Sequence, residues 1–146
     1  MSIKEKRAAE LFSNGYNCAQ AVLGPFCEEA EVGFDMVRIA NGFGGGVRYG
    51  ELCGAVSGAV MAIGLKCGFY LENDFEQKAF CNKKICEFME KFKEANGVLT
   101  CRDLLGVDIR CPEDHSGPAA KEAHKAVCPK LVASAVSILE SISFEK

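Results

Sequence analysis

Apolar residues recur along the chain at helical spacing, and no stretch alternates with period two. From about Ile3 to Phe12, Ala8, Leu11 and Phe12 fall on one side of a helix, with Lys4, Glu5 and Arg7 largely on the other. Asn14-Gly15 ends it. Asn17 with Gln20 three residues on is a capping-box pattern, so a second helix starts here with Cys18 in its first turn. Gly24-Pro25 ends or kinks that helix, because Pro25 cannot donate to the carbonyl four residues back. The acidic tail Glu28-Glu29-Ala30-Glu31 follows. Asp35 then caps a short helix, about Met36 to Ala40, which stops at Asn41-Gly42.

The stretch from Asn41 to Tyr70 is the one the rest is organised around. Its first half is a glycine run able to take backbone angles closed to other residues. Its second half, about Gly50 to Leu65, is an apolar helix of small residues closing near Gly68. Gly54, Gly58 and Ala62 lie four apart on one face with Ala55 and Ala59 beside them, a spacing that lets a second helix backbone come close. Cys53 sits near its start.

Asn73 and Asp74 with Glu76 and Gln77 mark the clearest helix start, opening a helix from about Phe75 to Asn96. Phe80, Ile85, Phe88, Met89 and Phe92 form its buried stripe, and Gly97 ends it. Thr100 caps a short helix carrying Cys101 at its first position and Asp103 three residues past the cap, ending at Gly106. A polar loop from Arg110 to Gly117 leads to Pro118, which suits a helix's first turn. His124 to Cys128 leads into Pro129, which opens the last helix, about Lys130 to Ile142, with Leu131, Val132, Ala135, Val136, Leu139 and Ile142 inward. The expectation is one all-α domain over residues 1–146, a bundle of six to eight helices around the central small-residue helix.

Composition narrows the function. A net charge of −3 with mixed signs gives no electrostatic case for nucleic acid. Residues 1–10 hold no apolar signal-peptide core, and the longest uncharged apolar run, Leu52 to Leu65, is shorter than the roughly 20 residues that span a bilayer. No membrane insertion and a soluble, cytoplasmic protein are therefore expected. Nine cysteines are many, and an odd number cannot all pair internally. No C-x-x-C occurs, so a shared cysteine site must be assembled by the fold.

Four cysteines share a local setting. Cys18 and Cys101 follow N-caps, Cys53 follows glycines at a helix start, and Cys128 precedes Pro129. A helix N-terminus offers unpaired N–H groups and about half a positive charge, which favours thiolate. Four thiolates from four elements suit a single tetrahedral or cluster site, although small apolar cysteines also fall at helix ends by chance. Cys27, Cys67, Cys81, Cys86 and Cys111 read as core or surface residues. Cys81 and Cys86 stand roughly 140° apart round one helix and cannot act together. Arg48 and Glu51 flank Cys53 and could tune it or simply be solvated. His115 reads as exposed and His124 as packing. No Ser/His/Asp pattern, phosphate loop or carboxylate pair is present.

Asn17-Cys18-Ala19-Gln20, Cys53-Gly54-Ala55-Val56-Ser57-Gly58, Cys101-Arg102-Asp103-Leu104-Leu105-Gly106 and Cys128-Pro129 occur in that order at separations that resemble the C-GCAxxG-C-C family of redox-active proteins. The likeness spans nearly the whole chain. It implies Cys18, Cys53, Cys101 and Cys128 as the functional, cofactor-binding and metal-ligating residues. It also implies kinship with the domain that accompanies haem in split-Soret cytochromes, which is associated with an iron–sulfur centre. With no C-x-x-C-H, this chain should attach no c-type haem. The first expectation is electron transfer to a redox partner protein through an iron–sulfur cluster, most simply two-iron, two-sulfur. One alternative is a metal-free thiol–disulfide enzyme cycling two of the four cysteines. Another is a structural zinc site in a regulatory or partner-binding module, such as one serving a transporter. The small-residue face and the cytochrome relatives point to a homodimer.

Overall fold

The computed structural model describes residues 1–110 and 117–146. Cys111, His115 and the middle of the expected polar loop lie outside the described residues. Among those described, seven α-helices form the chain: α1 (Ile3–Ser13), α2 (Cys18–Glu29), α3 (Asp35–Ile39), α4 (Gly54–Cys67), α5 (Phe75–Asn96), α6 (Cys101–Leu105) and α7 (Pro118–Ser141). No strand is present among the described residues, only an isolated antiparallel bridge between Leu52 and Thr100.

The capping grammar accounts for most boundaries. Asn17 accepts from the Gln20 backbone N–H at 2.9 Å while the Gln20 side chain accepts from the Asn17 N–H at 3.1 Å, so the capping box is complete. Asp74 accepts from the Gln77 N–H at 3.1 Å, and Gly97, at φ 90°, ends α5 where expected. Phe88 and Phe92 are buried on α5; Phe80, Ile85 and Met89 are only partly so. Asp35 does not cap α3. It is the helix's first residue and pairs with Arg38 at 3.2 Å, while Phe34 holds the cap position.

Two prolines sit inside helices and not at their boundaries. α2 runs through Pro25 to Glu29, because the segment around the proline is buried without a break from Ala21 to Cys27. That burial outweighs the cost of about 3 kcal/mol for a proline inside a helix. Pro129 does not open the last helix either. α7 is continuous from Pro118 to Ser141, with Pro118 in its first turn as predicted. Pro129 and Lys125, whose carbonyl the missing N–H would have met, are both exposed, so water can satisfy the orphaned oxygen. Cys128 is consequently mid-helix, not at a helix mouth.

α4 is the buried centre. It packs most extensively on α2 and also against α5 and α7. The small-residue face does what its spacing implies: a Cβ on Gly58 would collide with the Ala19 carbonyl oxygen of α2 and lie 3.0 Å from the Ala19 Cα. The helix begins at Gly54, later than expected, because Gly46–Gly50 forms a single wide turn first. Val47 and Arg48 are left-handed there, at φ 61° and 57°, a conformation that costs roughly 1 kcal/mol or more for a β-branched residue.

Candidate four-thiol site

Three chain segments are brought together at the N-terminal end of α4. Cys53 occupies the N-cap position of α4, and Cys18 and Cys101 are the first residues of α2 and α6. The Cys53 and Cys101 segments are joined through the Leu52–Thr100 bridge. Its flanking bonds run from the Cys53 N–H to the Leu99 carbonyl at 2.8 Å and from the Cys101 N–H to the Glu51 carbonyl at 2.6 Å. Cys128 arrives from the middle of α7. Cys18, Cys53, Cys101 and Cys128 line one cavity, together with Gly45, Gly54, Leu104, Leu105, His124 and Leu131. All four thiols are buried and none is in a disulfide. The four sequence-selected cysteines are thus brought together; of the rest, Cys27, Cys67, Cys81 and Cys86 lie away from this cavity.

The backbone is fitted to sulfur here. N–H groups of Gly45, Ala19, Cys18 and Gly54 are directed at the Cys18 sulfur, and those of Ala55 and Val56 at Cys53. A Cβ at Gly54 would run into the Cys18 sulfur and stand 2.9 Å from the Phe43 carbonyl oxygen. Glycine is needed at that position for α4 to approach the thiol at all. Gly46, at φ 63°, is similarly held, since a Cβ there would lie 2.8 Å from the Cys101 Cβ. Thr100, at the N-cap of α6, turns its hydroxyl to Asp103 at 2.5 Å rather than to the backbone.

Helix ends were expected to hold the thiols in their ionised form. Burial reverses that outcome. Desolvation is the largest influence on all four and outweighs the N–H groups. It pushes Cys53 up to about 12, assisted by the charge of Cys18, and Cys101 up to about 12, assisted by Cys53 and Cys18 with Arg48 opposing. Cys18 and Cys128 are also shifted upward, Cys128 with help from the charges of Cys18, Cys101 and Cys53. Arg48 therefore bears on Cys101, while Glu51 is engaged by Arg102 at 2.9 Å.

A thiol whose folded pKa is raised stabilises the fold fully below its unfolded value of about 8.5, and that contribution is lost as pH rises through the folded value. The reduced, metal-free protein should therefore lose stability steadily from about pH 8.5 toward about 12, the range set by Cys53 and Cys101. Urea midpoints measured across that range check this; a flat profile would mean that the thiols are not buried in solution.

Sequence reasoning set aside His124, yet its Nδ1 lies 3.2 Å from the Cys128 sulfur and the ring lines the cavity. The signal was available in the four-residue spacing of His124 and Cys128, which share a face only if the helix continues toward Pro129.

The donor set suits a thiophilic metal or an iron–sulfur cluster: four sulfurs from four segments, apolar walls, and N–H groups aimed at two of the sulfurs. As the side chains stand, the space between them is about 10 Å³, enough for one water. Among the described residues no three His, Cys, Asp or Glu groups close on a single metal ion. Admitting a two-iron unit therefore requires the sulfurs to part.

Compared with known families, residues 16–142 match the model described as "Putative redox-active protein (C_GCAxxG_C_C)". No curated protein and no solved structure matches the chain.

Proposed function

Because the chain belongs to that C_GCAxxG_C_C redox-active family, we propose that it is an electron-transfer protein whose Cys18, Cys53, Cys101 and Cys128 together hold one iron–sulfur cluster. The observation that carries this reading is the lining of a single apolar cavity by four thiols from α2, α4, α6 and α7. The bound cluster would supply reversible one-electron chemistry. Everything else is the work of this chain's residues. The N–H groups at Cys18 and Cys53 stabilise negative charge on sulfur and raise the potential relative to a site without them. Leu104, Leu105 and Leu131 keep water from the sulfurs. His124 contacts the Cys128 sulfur and orients it.

Burial also bears on the rival chemistries. A thiol–disulfide enzyme must let an external disulfide reach its attacking sulfur, and all four of these cysteines are buried. Neutral thiols in an apolar pocket are protonated at rest, so loading the site must expel protons, and metal affinity should rise steeply with pH. The test is purification under strict exclusion of oxygen, followed by an absorption spectrum and iron, sulfide and zinc analysis. A brown protein with equimolar iron and sulfide supports the proposal. A colourless protein holding one zinc per chain, or no metal after reconstitution with iron and sulfide, overturns it. As an electron carrier the protein requires a redox partner. Among the described residues no helix is long and apolar enough to cross a membrane.

A further inference from the structure

A second pair of thiols meets at the opposite end of α4. Cys67 is the last residue of α4, Cys81 lies in the second turn of α5 one turn beyond Gln77, and the Cys81 side chain is near enough to act on the Cys67 thiol. The two helix ends are held in register by Gln77, whose side-chain amide donates to the Cys67 carbonyl at 2.6 Å. Cys67 also contacts the Ile63 carbonyl oxygen at 3.3 Å. Lys66 and Lys84 both act on the Cys67 sulfur in the sense that favours its anion.

Access distinguishes this pair from the four-thiol site. Cys67 lines an open cavity of about 730 Å³, bounded by Leu23, Met36, Met61, Phe69, Tyr70 and Leu71 among others. That volume lies within the range of roughly 300–1,000 Å³ usual for small-molecule pockets. Cys81 is buried and is not part of the cavity wall. One cysteine of the pair thus lines the cavity and the other is enclosed beside it.

We propose that Cys67 and Cys81 form a second redox site, a dithiol that converts to an intrachain disulfide in exchange with a low-molecular-weight disulfide entering the cavity. In the first step the Cys67 thiolate attacks one sulfur of the small disulfide. The S–S bond of the reagent breaks, a mixed disulfide forms on Cys67, and one small thiol leaves. In the second, the Cys81 sulfur, giving up its proton, attacks the Cys67 sulfur and the second small thiol leaves. The chain loses two electrons and two protons, and the reagent becomes two thiols. The product ties the end of α4 to α5. Burial pushes Cys67 up to about 11, with the neighbouring Cys81 adding to it, so the exchange is slow at neutral pH.

The sequence makes the product easy to read. Trypsin cutting after Lys66, Lys78 and Lys83 separates 67–78 from 79–83, and each peptide carries one of the two cysteines and no other. The full-length reduced protein is held for hours in oxidised glutathione, quenched with acid, alkylated, digested and weighed. The expected product is the two peptides joined, lighter by two hydrogens than their sum. In Cys81→Ser the expected product is glutathione trapped on 67–78, while in Cys67→Ser the 79–83 peptide carries none. Far-UV circular dichroism checks that each variant is folded. Recovery of both parent peptides only as separate alkylated species, or of glutathione resting on Cys67 in the parent without closure onto Cys81, overturns the proposal. Neither result touches the four-thiol reading, whose cysteines lie in other peptides.

Discussion

Gly58→Leu is expected to leave little or no folded protein. A Cβ alone at this position meets the Ala19 carbonyl oxygen of α2, and backbone cannot move aside as a side-chain tip can. Overpacking a core costs about 1–3 kcal/mol where side chains can adjust. Forcing apart the α2–α4 pair should exceed the upper end of that range, lowering the thermal midpoint by about 10 °C or more in a domain of this size. Gly64→Ala provides the contrast. Gly64 is on the same helix with open space around its position, so the change should be neutral or stabilising by up to about 1 kcal/mol. Thermal melts of the three proteins side by side decide the matter. If Gly58→Leu melts with the parent, the two backbones are not in contact.

Replacing any one of Cys18, Cys53, Cys101 or Cys128 by Ala is expected to abolish or severely weaken cofactor retention. Each would supply one of only four protein bonds, and among the described residues no other cysteine lines the cavity to substitute for it. Cys86→Ala, on the exposed face of α5, should retain the parent's metal and colour in full, and so should Cys81→Ala. Cys128→Ala is the most informative member, since Cys128 sits within α7 and its removal leaves every helix cap in place. A well-folded Cys128→Ala that keeps the parent's cofactor would exclude a four-ligand site.

Much of the fold was legible because its signals are local. The Asn17 and Asp74 caps, the Gly97 and Gly106 stops and the α5 boundaries depend on residues within one turn of each other. The small-residue face of α4 was legible because only backbone contact calls for glycine and alanine at that spacing. Helix boundaries expected at the prolines are absent because a proline's cost depends on what surrounds it. Around Pro25 the buried segment compensates, and beside Pro129 the unpaired carbonyl faces water. Cys128 lines the cavity from mid-helix, not from the helix mouth at which the sequence had placed it. Helix-end N–H groups can be read from sequence, whereas the desolvation that outweighs them at these thiols comes from distant segments closing over the site. For the same reason neither the Leu52–Thr100 bridge nor the contact between Cys67 and Cys81 could be foreseen.

The central claim is that four thiols act as one electron-carrying unit, and counting electrons tests it most directly. Anaerobically reconstituted protein, in the Cys81→Ser background so that the second thiol pair contributes nothing, is titrated with a calibrated reductant while absorbance and electron paramagnetic resonance are followed. The account predicts uptake of one electron per chain, bleaching of the visible bands and the appearance of a paramagnetic signal that accounts for that electron, all reversed by reoxidation. Uptake of two electrons per chain with the appearance of two free thiols and no paramagnetic signal would contradict it.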